Sequence, residues 1–170
     1  MEKFKTTLII PHKYGQIELK FTLPTRPIEN GDIILPMESK ATLKLKIKKV
    51  LSSIYNDQFI ISTRHITLHK ITEISNSFKK TKQKEFELIV VIPKFNLQKR
   101  IPESRAEKIF NDIRYNYQEI YLTTEDKSLV EIIKIVYQLN KSKIIITVKA
   151  PYAIDKQTLI KYGWLAIKQS

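Results

Sequence analysis

Apolar residues lie along the whole chain in short runs, and this distribution limits most strongly what the chain can fold into. Hydrophobic residues make up 42% of the 170 positions, with Ile, Val, Leu and Phe in every part of the sequence. That content is enough for a packed core of ordinary size, so a disordered basic tail is excluded. No window approaches 18 consecutive apolar residues, and the apolar stretch near Met1 is too short for a signal peptide. We therefore expect a folded protein with no membrane association, in the cytoplasm.

The first half of the chain predicts mostly antiparallel β-structure with one helix. Strand-like runs at 6–10, 16–23 and 32–35 alternate with turn signals. Residues 39–55 fit both a helical apolar stripe and strand-like alternation. We expect a helix there, because the segment is long and Ser39 is a candidate N-cap. Residues 59–74 predict an extended segment, and 86–92 predict a buried strand.

The second half predicts helix, strand, helix, strand and helix in that order. Pro102 opens the first helix, whose apolar stripe reaches Tyr117. A strand at 119–123, an apolar helix at 124–140 and a strand at 143–149 predict a βαβ unit with parallel, right-handed pairing. Asp155 is a candidate cap for the last helix, and Trp164 is among the residues it would bury. The predicted fold class is therefore α+β, with a C-terminal part that is locally α/β.

Two interpretations of the domain organisation stay open. The chain is either a single compact domain over 1–170, or two similar lobes at 1–75 and 85–170 joined by a basic connector at 76–84. Segments 32–40 and 119–127 share Ile, Leu, Glu and Lys in register, and each precedes a predicted helix. Such a pseudo-two-fold duplication would form a groove shared by the two lobes, suited to a duplex or a strand.

The charge balance is the strongest indication of a partner. Lys and Arg number 30 against 17 Asp and Glu, for a formal net charge of +13. A surplus of this size favours a polyanion, so nucleic acid, DNA or RNA, is the default partner, and an acidic protein is the alternative. Cysteine is absent, which fits a reducing interior or a thermophilic source.

We expect phosphate contacts with little sequence preference from two dense groups of lysines and from a basic pair after Phe95. Aromatic residues beside these cations, such as Phe78, Phe86 and Phe95, are candidates for stacking on unpaired bases. The predicted nucleic-acid-binding residues are Lys44, Lys46, Lys48, Lys49, Lys79, Lys80, Lys82, Lys84, Lys99 and Arg100.

A phosphodiester-processing enzyme is the second hypothesis. The tetrad His65-Ile66-Thr67-Leu68 resembles one of the two His-x-Thr-x motifs of the 2H phosphoesterases, two-lobed enzymes whose paired histidines act as acid and base. The resemblance covers four residues and makes His65 and Thr67 catalytic candidates, with His69 nearby as a third. Where the duplication would place the second motif, Ile145 stands in the position of the histidine. The acid–base pair is therefore incomplete.

We expect no bound metal and no cofactor. The triplets at 38–40 and 125–127 carry the Glu-x-Lys pattern of metal-dependent nucleases, but both lie at predicted helix starts, where acidic side chains stabilise the helix dipole. On a strand, His65 and His69 would stand about 13 Å apart, too far to bind one ion. The chain has three glycines and no Gly-rich nucleotide loop. A third hypothesis is an interaction or assembly subunit, for instance of a mobile element.

Overall fold

β-Strands dominate the described part of the chain. The computed structural model describes residues 4–37, 42–53, 58–64, 66, 70, 73–74, 78, 85–113, 119–121 and 129–168. The elements within these ranges are β1 (Phe4–His12), β2 (Gly15–Leu23), β3 (Asp32–Pro36), β4 (Thr42–Lys46), β5 (Lys49–Ser52), β6 (Gln58–Ser62), β7 (Glu87–Ile92), a 3-10 turn (Pro93–Phe95), β8 (Leu97–Ile101), α1 (Glu103–Asp112), β9 (Glu119–Tyr121), β10 (Leu129–Gln138), β11 (Lys143–Val148), α2 (Lys156–Lys161) and β12 (Leu165–Ala166).

The strands form two sheets. The four-stranded sheet has the order β2-β1-β6-β5, and the eight-stranded sheet has the order β12-β8-β7-β11-β10-β3-β4, with β9 paired to β10. Within the first sheet β1 is antiparallel to β2 and parallel to β6. Within the second, β7 is antiparallel to β8 and parallel to β11. Because β3 pairs in parallel with β10, strands from both halves of the sequence share the larger sheet. The fold is α+β and mostly β.

One contiguous cluster of buried side chains contains residues from both sheets and from both helices. Alternate strand residues point to it, as expected for strands with one face on a core and one on solvent. Leu8 and Ile61 are fully buried neighbours in the first sheet, and Val90 and Ile146 occupy the corresponding place in the second. Trp164 is buried in the same cluster, as predicted.

A tight turn sets the register of the β1–β2 hairpin. Gly15 has a φ of 147°, a conformation that residues with a side chain rarely adopt. The imidazole Nδ1 of His12 accepts a hydrogen bond from the backbone N–H of Tyr14 at 3.2 Å. This turn places Lys20 opposite Thr7 and Lys5 opposite Thr22.

Two predicted helices are wrong. The helix expected over 39–55 is replaced, where the structure describes it, by strands β4 and β5. The helix expected over 124–140 is replaced by β10, which runs antiparallel to both β9 and β11. The strand-helix-strand unit built on that helix is therefore wrong as well. The physical cause is a β-bulge between Ile132 and Lys134, which adds one residue to the strand. The buried residues on either side of it, Ile132 and Ile135, are therefore three positions apart, as on one face of a helix.

The predictions of one strand, one helix start and one helix cap are confirmed. The strand expected at 86–92 is β7, and α1 begins directly after Pro102. The Asp155 side chain caps α2 by accepting the N–H of Thr158 at 2.8 Å. The extended segment expected over 59–74 holds as far as Ser62, whereas Lys70, Glu73 and Ile74 are helical. Among the described residues, no helix combines the length and apolar character needed to cross a membrane.

Candidate nucleic-acid interface

A groove of about 710 Å³ crosses the four-stranded sheet. All four strands of the sheet contribute to its walls, and none of the described lining residues carries a carboxylate. The lining residues are Lys5, Thr6, Thr7, Lys20, Phe21, Thr22, Leu51, Ser52, Ser53, Gln58, Phe59 and Ile60.

The two lysines of the groove are brought together by the β1–β2 register. Lys5 is opposite Thr22 and Lys20 is opposite Thr7, so the two lysines are diagonal neighbours on one face. The Cα atoms of such diagonal neighbours lie roughly 7–8 Å apart in an antiparallel pair. Both side chains are exposed, and neither forms an ion pair with a described residue. The two lysines therefore lie side by side on the face that the groove crosses.

The middle of the groove is apolar and its surroundings are rich in hydroxyl groups. Leu51 and Ile60 face each other across β5 and β6, and they are 50% and 42% exposed. Thr7 is the partner of Ile60 on the other side. Ammonium and hydroxyl groups donate hydrogen bonds to phosphate oxygens, and an apolar floor suits the carbon atoms of a sugar. The arrangement can hold a phosphate-bearing chain.

The first predicted lysine group lies elsewhere, along consecutive strands β4 and β5. Within the described part of the chain these strands are the outer edges of the two sheets. Lys46, Lys48 and Lys49 are exposed and form no ion pair with a described residue. Lys44 contacts the carboxylate of Asp32 at 3.4 Å. Three of the four predicted lysines are thus exposed and not neutralised by a described carboxylate.

A second lysine contacts that same carboxylate. The Nζ of Lys134 on β10 lies 2.9 Å from Oδ2 of Asp32, whose side chain is 10% exposed. Burial by itself raises the pKa of Asp32, but the hydrogen bond and charge of Lys134, together with Lys44, outweigh it and lower the pKa. The hydrogen bond to Asp32 also raises the pKa of Lys134. This carboxylate therefore neutralises part of the predicted basic surface.

The predicted pair Lys99 and Arg100 is held by neighbours within the protein. Lys99 donates a hydrogen bond from Nζ to the carbonyl oxygen of Tyr162 at 2.8 Å. Arg100 Nη2 lies 2.8 Å from Glu87 Oε1. The Lys99 ammonium and the Arg100 guanidinium are thus already engaged in contacts within the protein.

Several predicted site residues lie outside the described residues, and their roles stay predictions. They include the second lysine group, the three catalytic candidates and both Glu-x-Lys triplets: Lys79, Lys80, Lys82, Lys84, His65, Thr67, His69, 38–40 and 125–127. Within the ranges that the structure describes, no group of three His, Asp or Glu residues is placed to hold a metal ion.

The sequence analysis missed Lys5 and Lys20. They lie 15 positions apart and belong to no dense lysine group, so only the hairpin register brings them together. The signal that could have found them is the repeated Lys-x-Thr spacing, at 5–7 and 20–22, on either side of a Gly15 turn. Comparison of the chain with models of known families, with curated proteins and with solved structures finds no match.

Proposed function

We propose that the protein is a non-enzymatic nucleic-acid-binding protein that contacts mainly the phosphate backbone and has little sequence specificity. The observation that carries the proposal is the groove of the four-stranded sheet. It joins the exposed side chains of Lys5 and Lys20 to hydroxyl side chains, and the lining that the structure describes contains no carboxylate. The net charge of +13 supplies the long-range attraction.

The expected driving force is electrostatic. Each ammonium group that neutralises a phosphate releases a condensed counterion, and this release does not depend on the base sequence. Lys46, Lys48 and Lys49 add cations on the edge formed by β4 and β5. The groove and this edge share strand β5, to which both Lys49 and Leu51 belong. We therefore expect one phosphate chain to contact both.

We infer in addition that the two halves of the chain are an internal repeat. Each half has a hairpin whose first strand also pairs in parallel with a later strand. Leu8 lies beside Ile61 in the first half, and Val90 lies beside Ile146 in the second. A proline follows three residues after Leu8 and three after Val90, which supports equivalence of the two strands.

The inferred repeat relates the groove lysines to two residues of the larger sheet that form an ion pair. By this equivalence Lys5 corresponds to Glu87. Lys20 lies opposite Thr7, and Arg100 lies opposite Ile89, the residue equivalent to Thr7. Lys20 therefore corresponds to Arg100. Glu87 and Arg100 form an ion pair, so the arginine of the second face is paired with a carboxylate. On the first face Lys5 and Lys20 form no ion pair with a described residue, although Glu18 lies two positions from Lys20 on the same face of β2.

The experiment is a salt titration of binding to a labelled DNA duplex, read by fluorescence anisotropy. The wild-type protein should bind with a strongly negative slope of log affinity against log salt concentration. The double variant Lys5→Ala with Lys20→Ala should bind more weakly, and its slope should be shallower by about 1.8, or about 0.9 for each phosphate that a lysine no longer neutralises.

The matched control is Lys108→Ala with Lys141→Ala. It removes the same two charges at exposed positions outside the groove. The control should keep most of the wild-type slope. Binding that is independent of salt would contradict the proposal, and equal weakening in the two double variants would contradict the assignment of the groove. Binding confined to an acidic protein would favour the assembly-subunit hypothesis.

A further inference from the structure

A second, smaller cleft of about 280 Å³ lies on the larger sheet. It is formed by the 3-10 turn after β7, the bulge of β10 and the segment after β11. Its lining is largely apolar and aromatic, with two lysines: Pro93, Lys94, Phe95, Ile133, Val148, Lys149, Ala150, Pro151 and Tyr152.

The β10 bulge turns an isoleucine toward solvent at this cleft. Ile132 pairs with Val148 and Lys134 pairs with Thr147, so Ile133 is the extra residue between two ladder positions. Its side chain is 57% exposed, although both neighbouring isoleucines of β10, Ile132 and Ile135, are buried. Bulges commonly re-aim a side chain next to a functional site. The bulge therefore exposes the side chain of Ile133 at the cleft.

An exposed aromatic ring lies on the same cleft. Tyr152 is 107% exposed, which places its ring fully in solvent, and it follows the buried Pro151. Phe95 is half-buried and packs against the core, so it provides a fixed wall. An exposed ring beside a fixed aromatic wall can accept a planar group by stacking.

The cations of the cleft differ in their contacts. Lys149 lies 2.7 Å from Glu131, and both side chains are more than half exposed. Lys94 is exposed and forms no ion pair with a described residue. Lys94 is therefore the group available to a phosphate.

We propose that this cleft binds an unpaired nucleobase, stacked on the ring of Tyr152, with the adjoining phosphate held by Lys94. The inference rests on the proposed function and deepens it, because it predicts that single strands gain a contact that duplexes cannot make. The groove does not supply that contact: Phe21 and Phe59, the aromatic residues among its lining, are each 7% exposed and face the core. Base stacking on an aromatic side chain tolerates any base, which agrees with limited sequence preference.

The test compares two single strands of equal charge, a 20-residue oligothymidylate and a 20-residue abasic strand, by fluorescence anisotropy. Tyr152→Ala should lower the affinity for oligothymidylate about 5- to 150-fold, the range that corresponds to loss of one stacked base. It should leave the affinity for the abasic strand unchanged. Tyr152→Phe, the matched control, should bind both strands as the wild type does, because stacking does not require the hydroxyl group.

Each contrary outcome has a separate meaning. If Tyr152→Ala binds oligothymidylate like the wild type, while Lys5→Ala with Lys20→Ala weakens binding, the cleft inference is overturned and the proposed function stands. If Tyr152→Ala loses affinity equally for both strands, or Tyr152→Phe loses as much as Tyr152→Ala, stacking is overturned. If the wild type binds no nucleic acid, the proposed function fails and the cleft inference fails with it.

Discussion

Arg100 lies opposite Ile89 in the β7–β8 hairpin, yet its guanidinium reaches along the sheet to Glu87, with 2.8 Å between Nη2 and Oε1. The arginine side chain is 72% exposed and the glutamate 38%, so the ion pair stabilises the fold by only about 0–1 kcal/mol. Its main consequence is electrostatic. It pairs the Arg100 cation with a carboxylate, whereas Lys5 and Lys20 form no ion pair with a described residue.

Replacing Glu87 with Lys should therefore create a second anion-binding face. The change frees Arg100 and adds a cation beside it, so the salt slope of duplex binding should become steeper by about 1.8. The control is Asp112→Lys, which makes the same change in net charge at the exposed end of α1. Equal slopes for the two variants would show that only the total charge matters.

Asp32 should contribute stability that depends on pH. Its pKa is lowered from the ordinary value of 3.8, so the folded state favours the carboxylate. This stability is present above the unfolded pKa and is lost as the pH falls through the lower folded pKa. Asp32→Asn should reduce the free energy of unfolding at pH 7 by about 1 kcal/mol, a modest cost because Lys44 and Lys134 are half exposed.

Urea unfolding of Asp32→Asn and the wild type at pH 7 and at pH 3 checks this expectation. The difference between the two proteins should shrink at pH 3, because this pH lies below the ordinary carboxyl pKa of 3.8 and Asp32 of the unfolded chain is then largely protonated. A difference that stays constant, or grows, as the pH falls would contradict the role given to the ion pairs.

Tyr137 should be a structural tyrosine whose hydroxyl group is required. Its Oη accepts a hydrogen bond from the buried backbone N–H of Ile28 at 3.2 Å, and burial raises the pKa of the phenol. Tyr137→Phe leaves that N–H without a partner, which should cost about 1–3 kcal/mol of unfolding free energy in a urea titration. Tyr121→Phe changes an exposed side chain and should leave the stability within error of the wild type. Unchanged stability of Tyr137→Phe would refute the expectation.

The sequence predicted elements whose signals are local. The α2 cap at Asp155 and the strand at Glu87–Ile92 depend on neighbouring residues, and both are confirmed. The segments at 42–52 and 129–138 were misassigned because their strands are interrupted. In the first, the chain passes from one sheet to the other between Lys46 and Lys49; in the second, the bulge at Ile133 adds a residue. Both interruptions put buried or half-buried residues three apart, as in a helix.

The candidate site was harder to predict than the fold class. Dense runs of lysine are visible in the sequence, but the partners that neutralise them come from distant positions: Asp32 is far from Lys134 along the chain. The two groove lysines, Lys5 and Lys20, meet only through strand register. The Lys-x-Thr spacing is visible in the sequence, but the strand pairing that brings the two Lys-x-Thr segments together depends on the turn at Gly15.

In the part of the chain that the structure describes, β4 and β5 are edge strands, and this position has a consequence for how copies of the protein behave in concentrated solution. An unpaired strand edge exposes backbone N–H and C=O groups that can pair with an identical edge on another molecule, which is a route to aggregation. Lys44, Lys46 and Lys49 lie on these two edges, and Lys48 lies between them. Bringing two such edges together would place lysine opposite lysine, so electrostatic repulsion would oppose that contact.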